Sequence, residues 1–433
     1  MSALRWRAGS AVATFPIAPG TELGGYIDRA GPASTTLDEL EIGAFILQIG
    51  ERRLAIVTAD VVAVDVALTD AIASASGIPR DELLLCASHT HSGPRGIVDR
   101  LHPADPSAAD TDLRKRFIEI ATATLAGATR RLEPVTLDLT EWQTANAWSN
   151  RNAEDGPNDP RVRLLITRRD DGSLQTALAL VACHPTILGA SSTVVSADLM
   201  GGIRRALAGA FAQGGEQPVV LSLTGAAGDI STRFTRQSST PAEIERLGAL
   251  AIQGRDTALA SSRPVPASAN ALRNERVTCR LASVLDTSAD FDPEREMREA
   301  EQRLRELDAT GGSEAERRRA ITQRQGAYLR SLLRDVPSER FDLELSAWRL
   351  GNDCALVSVP GELFTSLGAE IERASPFAAT WVAGYANGYA GYIADPAAYE
   401  TRTYEAMASP FGMNAGETVT GTAQRLLVAL KDT

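Results

Sequence analysis

Short runs of hydrophobic residues, separated by polar turns, recur along the chain and predict alternating strands and helices. The predicted strands lie at 43–50, 53–60, 83–86, 162–167, 173–182, 218–223, 341–350 and 355–359. The predicted helices lie at 67–76, 199–212, 241–260 and 417–430. This order is typical of an α/β protein, and we expect one large domain over residues 1–433 with central mixed β-sheets flanked by helices.

A densely charged segment at 292–334 differs from the rest of the chain. Its apolar residues recur at spacings of three and four, as at Met297, Ala300, Leu304 and Leu307. This spacing predicts two amphipathic helices, joined near 309–313, with Asp292 before Pro293 as a cap and start signal. We expect an inserted helical hairpin that packs on the core.

Composition and charge narrow the class of protein. The 44% hydrophobic and 23% charged content is ordinary for a globular protein, and the formal charge of −11 gives no support for binding to nucleic acid or to anionic membranes. No apolar stretch approaches the ~20 residues that cross a bilayer, and residues 1–10 lack a secretion signal. We expect a cytoplasmic protein without an integral membrane segment. A homo-oligomer stays open.

The four cysteines are widely spaced, and each lies in or beside a β-like apolar stretch: Cys86, Cys183, Cys279 and Cys354. This distribution indicates buried reduced thiols and not a disulfide framework.

Histidines follow two of the predicted strands. His89 and His91 come directly after the run 83–86, and their spacing of two places both side chains on one side of an extended segment. His184 follows another apolar run, whereas His102 has no such context. An isolated His-x-His pair is more often solvated than functional, but histidines delivered by two strand ends favour a metal site.

Two further motifs stand where predicted strands end. The glycine-rich turn 224–231 carries Asp229 and Ser231, and the Ser231 hydroxyl could act as a nucleophile or as a hydrogen-bond donor. The turn lacks the Gly-Lys-Ser/Thr ending of a phosphate-binding loop. Glu362 stands where a strand gives way to a helix, and it is either a first-turn helix residue or the carboxylate of a His₂Glu zinc site.

Five motifs in this order resemble those of the neutral/alkaline, non-lysosomal ceramidase family. They are His89-Thr-His91-Ser-Gly-Pro, His184-Pro-Thr, Gly228-Asp-Ile-Ser231, Pro360-Gly-Glu362 and the run from Asn387 to Tyr392-Ile. The resemblance covers most of the chain and implies a zinc-dependent amidase. It implies that His89, His184, Glu362 and Tyr392 hold the metal, that His91 lies beside it, and that Ser231 is the catalytic serine.

Departures from the family pattern bear on the substrate. Arg95 replaces a glycine after the His-Thr-His motif, and Asn150-Arg151 resembles a family motif whose last two residues are replaced by Asn152-Ala153. We also expect no counterpart of the immunoglobulin-like C-terminal domain of true ceramidases after Thr433. The expected substrate-binding residues are Arg95, Asn150, Arg151, Asp229 and Asn387.

The resulting hypothesis is a zinc hydrolase that cleaves the amide bond of an N-acyl compound, either a ceramide-like lipid of sphingolipid metabolism or a more soluble amide. His91 would assist proton transfer, and Tyr392 would bind the metal and steady the oxyanion. One alternative keeps the zinc site but makes the protein an esterase or a hydrolase of another polar substrate. A second alternative is a non-catalytic member that uses the cleft for binding.

Overall fold

A computed structural model describes residues 4–102, 110–212, 217–283, 292–334, 336 and 340–432. The strands are β1 (Trp6–Phe15), β2 (Thr35–Thr36), β3 (Leu40–Ile49), β4 (Arg52–Ala59), β5 (Leu83–Ala87), β6 (Glu133–Gln143), β7 (Ser149–Asn150), β8 (Arg161–Arg168), β9 (Leu174–Val181), β10 (Val194–Val195), β11 (Val219–Thr224), β12 (Ile230–Ser231), β13 (Arg263–Pro264), β14 (Leu272–Ala282), β15 (Arg340–Leu350), β16 (Cys354–Ser358), β17 (Glu362–Leu363), β18 (Ala379–Ala383) and β19 (Tyr392–Ile393). The α-helices are α1 (Val66–Ser76), α2 (Thr111–Arg130), α3 (Asp198–Phe211), α4 (Pro241–Ala251), α5 (Arg255–Ala260), α6 (Pro293–Thr310), α7 (Glu314–Leu333), α8 (Thr365–Arg373), α9 (Pro396–Glu400), α10 (Tyr404–Ala408) and α11 (Ala415–Asp432).

Most strands belong to two mixed sheets. The larger sheet has the order β11-β9-β8-β6-β1-β3-β4-β5, with β13 paired to β6, and the smaller has the order β14-β15-β16-β18. The pairs β4–β5 and β9–β11 are parallel, as is β16–β18, while the central pairs of the large sheet are antiparallel. The expected α/β fold with mixed sheets is therefore confirmed.

Alternation along the strands builds the layers. In β3, Ile42 and Ala44 enter a cluster formed with α1 and α2, whereas Phe45 and Leu47 face residues of the second sheet such as Trp348. The outer face of the second sheet packs in turn against α8 and α11. Because successive side chains of a strand point to opposite faces, the two sheets are packed on each other with helices outside them.

The large sheet bends so that its two ends come together. Thr224, at the end of β11, donates a hydrogen bond of 2.9 Å from Oγ1 to the carbonyl of Ser88, just beyond β5. Strand β3, which pairs with β4, also approaches β11. A Cβ added at Gly43 of β3 would lie 2.3 Å from Cδ2 of Leu221 in β11, so glycine leaves room for this leucine. The segments that follow β5 and β9 are thereby brought side by side.

Most predicted elements are present with their ends shifted by a few residues, but one predicted helix is divided. The segment 241–260 forms α4 and α5, separated at Gly254, whose φ of +90° is left-handed. An α-helix cannot continue through that conformation.

The charged segment forms two helices as predicted. The side chain of Asp292 accepts from the amides of Glu294 and Arg295 at the start of α6, and Ser313 forms a capping box at the start of α7. Gly311 ends α6 in the left-handed conformation. Cap chemistry therefore sets both inner ends of this hairpin.

Two further predictions concern cysteines and membranes. All four cysteines are buried and free, as predicted. Among the described helices, none combines the length and the apolar character that membrane crossing requires.

Candidate metal centre and catalytic cavity

His89 is held by the segment that follows β4. Its backbone amide donates to the carbonyl of Val61 at 3.0 Å, and its ring Nδ1 lies 2.6 Å from the carbonyl of Val62. The backbone of His89 has a φ of +63°, an uncommon conformation for a residue with a side chain. These contacts fix the ring two residues beyond β5 and aim Nε2 away from the backbone.

His184 is held in the same way by a different loop. Its Nδ1 lies 2.6 Å from the carbonyl of Ala227, and its backbone forms a parallel bridge with Ser231. A carbonyl oxygen can only accept, so Nδ1 of His89 and of His184 carries the proton. In the neutral ring, Nε2 is then left with its lone pair, as a metal-ligating histidine requires.

The two Nε2 atoms meet one carboxylate. Oε2 of Glu362 lies 2.9 Å from Nε2 of His184 and 3.3 Å from Nε2 of His89. Ligand atoms that surround a zinc ion tetrahedrally at ~2.0–2.2 Å are about 3.3–3.6 Å apart, close to the spacing of these donors. Three groups that only accept hydrogen bonds have been gathered at one buried point, and a cation there would bind all three.

The third histidine completes a buried cluster. Nε2 of His91 lies 3.3 Å from Nε2 of His89, and one ring nitrogen from each of His89, His91 and His184 lies within 4.8 Å of the others. Gly25 packs so closely that an added Cβ would come within 2.4 Å of the His91 ring. His91 thus belongs to a buried three-histidine arrangement that could hold a metal ion, and glycine is needed beside it.

Burial keeps the rings of His91 and His184 neutral. Burial lowers the pKa of His184 to about 4, and the nearby Arg151 guanidinium acts in the same direction. Burial also lowers the pKa of His91 well below its ordinary value, helped by the neighbouring His89 and His184. At neutral pH both rings are therefore unprotonated, the form that binds a metal or accepts a proton.

Glu362 is fixed through its other oxygen. Tyr389 donates from its hydroxyl to Oε1 of Glu362, and the short strands β17 and β19 place Glu362 opposite Tyr392 in register. The carboxylate is therefore oriented by one tyrosine and flanked by another. Sequence reasoning placed Tyr389 only in a tyrosine-rich run, because nothing in the local pattern shows which tyrosine reaches a residue 27 positions away.

A buried ion pair supports Tyr392. Nη2 of Arg151 donates to the Tyr392 hydroxyl oxygen at 3.0 Å, and Nε of Arg151 donates to Glu405 at 2.6 Å. Asn152 donates to the second oxygen of Glu405 at 3.0 Å. Asn152, which departs from the family motif, thus completes this network. Glu405 belongs to the network as well, although the sequence gave no sign of its role.

Ser231 is buried behind His184. Its Oγ accepts a hydrogen bond of 3.2 Å from the backbone amide of Arg233, and its backbone also pairs with Ser149 across β12 and β7. Ser231 does not belong to the described residues that line the cavity below. Its catalytic role stays a prediction.

Three of the expected substrate-binding residues bond to the protein itself. Asn150 donates to a carboxylate oxygen of Asp229 at 2.8 Å, and the other oxygen accepts from the amide of Thr365 at 2.8 Å. Asn387 accepts from the amide of Leu85 in β5 at 2.8 Å. These contacts tie together the loops that hold the donors, and contact with a substrate stays a prediction for all three.

A cavity of about 300 Å³ opens above the donors. Its lining consists of Leu23, Gly24, Gly25, Tyr26, Ile27, Val62, His89, His91, Arg95, Leu101, His102, Tyr328, Leu329, Leu332, Glu362, Tyr389, Gly391, Tyr392, Tyr404, Ala408 and Pro410. Arg95 therefore shares the cavity with His89 and His91, and its contact with a substrate stays a prediction. His102 also lies in the wall and contacts the carbonyl of Ala408 at 2.9 Å, although its sequence context gave no sign of this.

Fold and donor set together define an α/β protein with a metal-binding arrangement at the floor of a cavity. No family model and no curated protein matches the sequence. The fold is similar to that of neutral ceramidase from Pseudomonas aeruginosa, with a TM-score of 0.77 at 18% identity over 100% of this chain and 75% of that one. A ceramidase complexed with C2 gives a TM-score of 0.76 at 16% identity, over 99% and 76% of the two chains. The chain has the neutral ceramidase fold.

Proposed function

We propose that the protein is a zinc-dependent hydrolase that cleaves the amide bond of an N-acyl compound. The observation that carries this proposal is the meeting of His89, His184 and Glu362 at one buried point, the floor below a cavity that His89 and Glu362 line, with donor spacings close to those of a tetrahedral site. Two solved structures with this fold are described as ceramidases, which supports hydrolysis of an N-acyl compound.

The donor set suits zinc, which binds imidazole nitrogen and carboxylate oxygen. His89, His184 and Glu362 would hold the ion, with the phenol of Tyr392 as the fourth protein ligand. Bound zinc supplies a Lewis acid and lowers the pKa of water toward ~7.

The chain's own groups would position and protonate the substrate. Arg151 donates to the Tyr392 oxygen and thereby holds the phenol in the cavity wall beside the proposed metal donors. Nδ1 of His91 is buried without a hydrogen-bond partner among the described residues, so this ring can accept or donate a proton during the reaction.

Ser231 takes one of two roles in this proposal. It either attacks the amide carbonyl itself or donates a hydrogen bond that holds the reacting group. Burial beside His184 supports a role near the chemistry, and a covalent adduct would separate the two roles. An acyl-enzyme trapped by rapid quench and located by mass spectrometry at Ser231 would establish direct attack.

We infer that soluble N-acyl amides are better substrates than ceramide in membranes. A cavity of about 300 Å³ lies at the lower end of the ~300–1,000 Å³ typical of small-ligand sites. Arg95 in its wall can pair with a carboxylate or phosphate, although its Nη1 already lies 3.8 Å from Glu22. Rates on short anionic N-acyl compounds and on detergent-dispersed ceramide test this preference.

A matched substrate panel tests the reaction class. The protein, purified without added metal and then reconstituted with Zn²⁺, is assayed on amides and esters that share the same acyl and leaving groups. Amide hydrolysis that disappears after chelation and returns with zinc supports the proposal. Cleavage of the esters but not of the amides would identify the protein as an esterase. Binding of both kinds of compound without cleavage would identify it as a non-catalytic binding protein.

A further inference from the structure

The helical hairpin α6–α7 takes part in the cavity instead of packing only on the core. Tyr328, Leu329 and Leu332 of α7 stand in the wall of the cavity that contains His89 and Glu362. Tyr328 is 45% exposed, whereas its neighbour Leu329 is buried, so this turn of α7 contributes both an exposed and a buried side chain to the cavity wall. An apolar stretch of the hairpin therefore faces the space above the donors.

One side of α7 is packed tightly against α10. At Gly326, an added Cβ would lie 2.7 Å from Cε of Met407 and 3.0 Å from Cα of Tyr404. Tyr404 itself belongs to the cavity wall. A glycine at this point lets the two helices approach closely, and the hairpin is thereby anchored beside one wall of the cavity.

The same turn of α7 also contacts the segment 26–28, which belongs to another part of the cavity wall. Gln325 donates to Asp28 at 2.8 Å, and Arg324 pairs with the same carboxylate at 3.3 Å. Asp28 directly follows Tyr26 and Ile27, which line the cavity. The hairpin thus bridges two walls, from α10 on one side to the segment 26–28 on the other.

The two attachments differ in strength. The α10 side is close-packed, whereas the Asp28 side consists of polar groups that are 39% exposed at Arg324 and 53% exposed at Asp28. Exposed pairs of this kind contribute little to the stability of a fold. The Asp28 contact can therefore open without disturbing the fold, while α10 keeps the hairpin in place.

We propose that α7 is the specificity-determining wall of the cavity and sets the upper limit on the acyl length of the substrate. This inference rests on the proposed amide hydrolysis and narrows its substrate class to compact N-acyl amides with a short, apolar acyl group. Tyr328 and Leu332 form the boundary that the acyl chain meets. The contact with Asp28 holds that boundary closed.

Truncation of the boundary tests the proposal. The kcat/KM of the zinc-loaded protein is measured on a series of N-acyl amines whose straight acyl chains rise from two to sixteen carbons, about the range between acetyl and long-chain lipid groups. Leu332→Ala and Tyr328→Ala should raise the ratio of long-chain to short-chain kcat/KM by at least about fivefold. Leu304→Ala is the matched control, because this half-buried leucine of α6 lies outside the cavity lining. An unchanged length limit in both cavity variants overturns the proposal.

The Asp28 contact is tested separately. Asp28→Ala should relax the length limit in the same direction by about two- to fivefold, while Glu314→Ala removes an exposed pair with Arg318 within α7 and should leave the limit unchanged. Equal behaviour of the two variants shows that the Asp28 contact does not hold the wall.

A binding measurement keeps this inference independent of turnover. Straight-chain carboxylic acids of two to twelve carbons are titrated into the same variants by calorimetry. If the wild-type protein cleaves no amide, the proposed function fails. The inference about α7 is still supported if Leu332→Ala binds longer carboxylic acids than the wild type does. No binding, or one limit shared by all variants, rejects it.

Discussion

The floor and the α7 wall of the cavity are built in opposite ways. The floor donors are buried, and each is fixed by a second contact within the protein: His89 by Val62, His184 by Ala227 and Glu362 by Tyr389. The wall stands on an exposed, highly charged hairpin whose outer contact is a solvent-accessible pair. A rigid floor preserves donor geometry, whereas a loosely held wall can adapt to the ligand.

This difference predicts that substitutions in the two regions change different quantities. Floor substitutions should abolish metal binding or turnover, and wall substitutions should change the choice of substrate.

Removal of a floor histidine should have the largest effect. His184→Ala and His89→Ala each delete one donor, and we expect loss of zinc and of essentially all turnover, since the remaining groups cannot complete the site. Zinc content by mass spectrometry of the purified protein is the direct measurement. His102→Ala, in the wall, is the control that should retain the metal. Full zinc occupancy in both floor variants would refute the assigned site.

Ser231→Ala should separate metal binding from turnover. Ser231 is not predicted to bind the metal, so zinc content should remain while turnover on the best amide falls by at least about 100-fold. Ser149→Ala changes the serine that pairs with it across β12 and β7 and serves as the control. Unchanged turnover would make the glycine-rich turn purely structural.

Loss of the buried acid beneath Tyr392 should affect stability as well as rate. Glu405→Gln leaves the buried Arg151 guanidinium without its partner, and an uncompensated buried charge costs about 3–5 kcal/mol of unfolding free energy. Urea denaturation measures this cost, with the exposed Glu400→Gln as control. A loss below about 1 kcal/mol would mean that Arg151 is neutralised by another group.

Asp229 should make stability depend on pH. Burial raises its pKa to about 6, so between pH ~4 and 6 the folded protein retains a proton that the unfolded chain releases. Stability should therefore fall as pH rises through this window and then level off, and Asp229→Asn should flatten that change. Melting temperatures of both proteins from pH 4 to 7 test it. If KM changes and the pH dependence does not, Asp229 contacts the substrate.

The smallest stability effect is expected at the hairpin. Asp28→Ala should change the free energy of unfolding by less than about 1 kcal/mol, because the pair it removes is exposed. Denaturation beside the wild type measures this value. A cost of several kcal/mol would contradict the loosely held wall and make the two regions alike.

Local patterns could predict where the histidines stand but not what holds them. Apolar runs end directly before His89 and His184, and sheets present such ends together, so their approach follows from the sequence. The contact of Tyr389 with Glu362, and that of Glu405 with Arg151, depend on pairings between distant segments that leave no local signal. The hairpin's helices could be predicted from their spacing, but its place in the cavity wall depends on packing against α10.

The bent large sheet brings the segments of His89 and His184 together, and Glu362 follows a strand of the second sheet, so the floor is assembled from residues far apart in the chain. His89, His184 and Glu362 are contributed by three separate strand ends, spread over more than half of its length. Such a topology has a high contact order. Pairing of segments that are distant in sequence is slow compared with local helix formation. The hairpin can fold early on its own local contacts. The donors come together only when the bent large sheet has formed and the second sheet has packed against it. Zinc would then bind selectively to the completed fold, and its free concentration would shift the folding equilibrium of the entire chain by mass action.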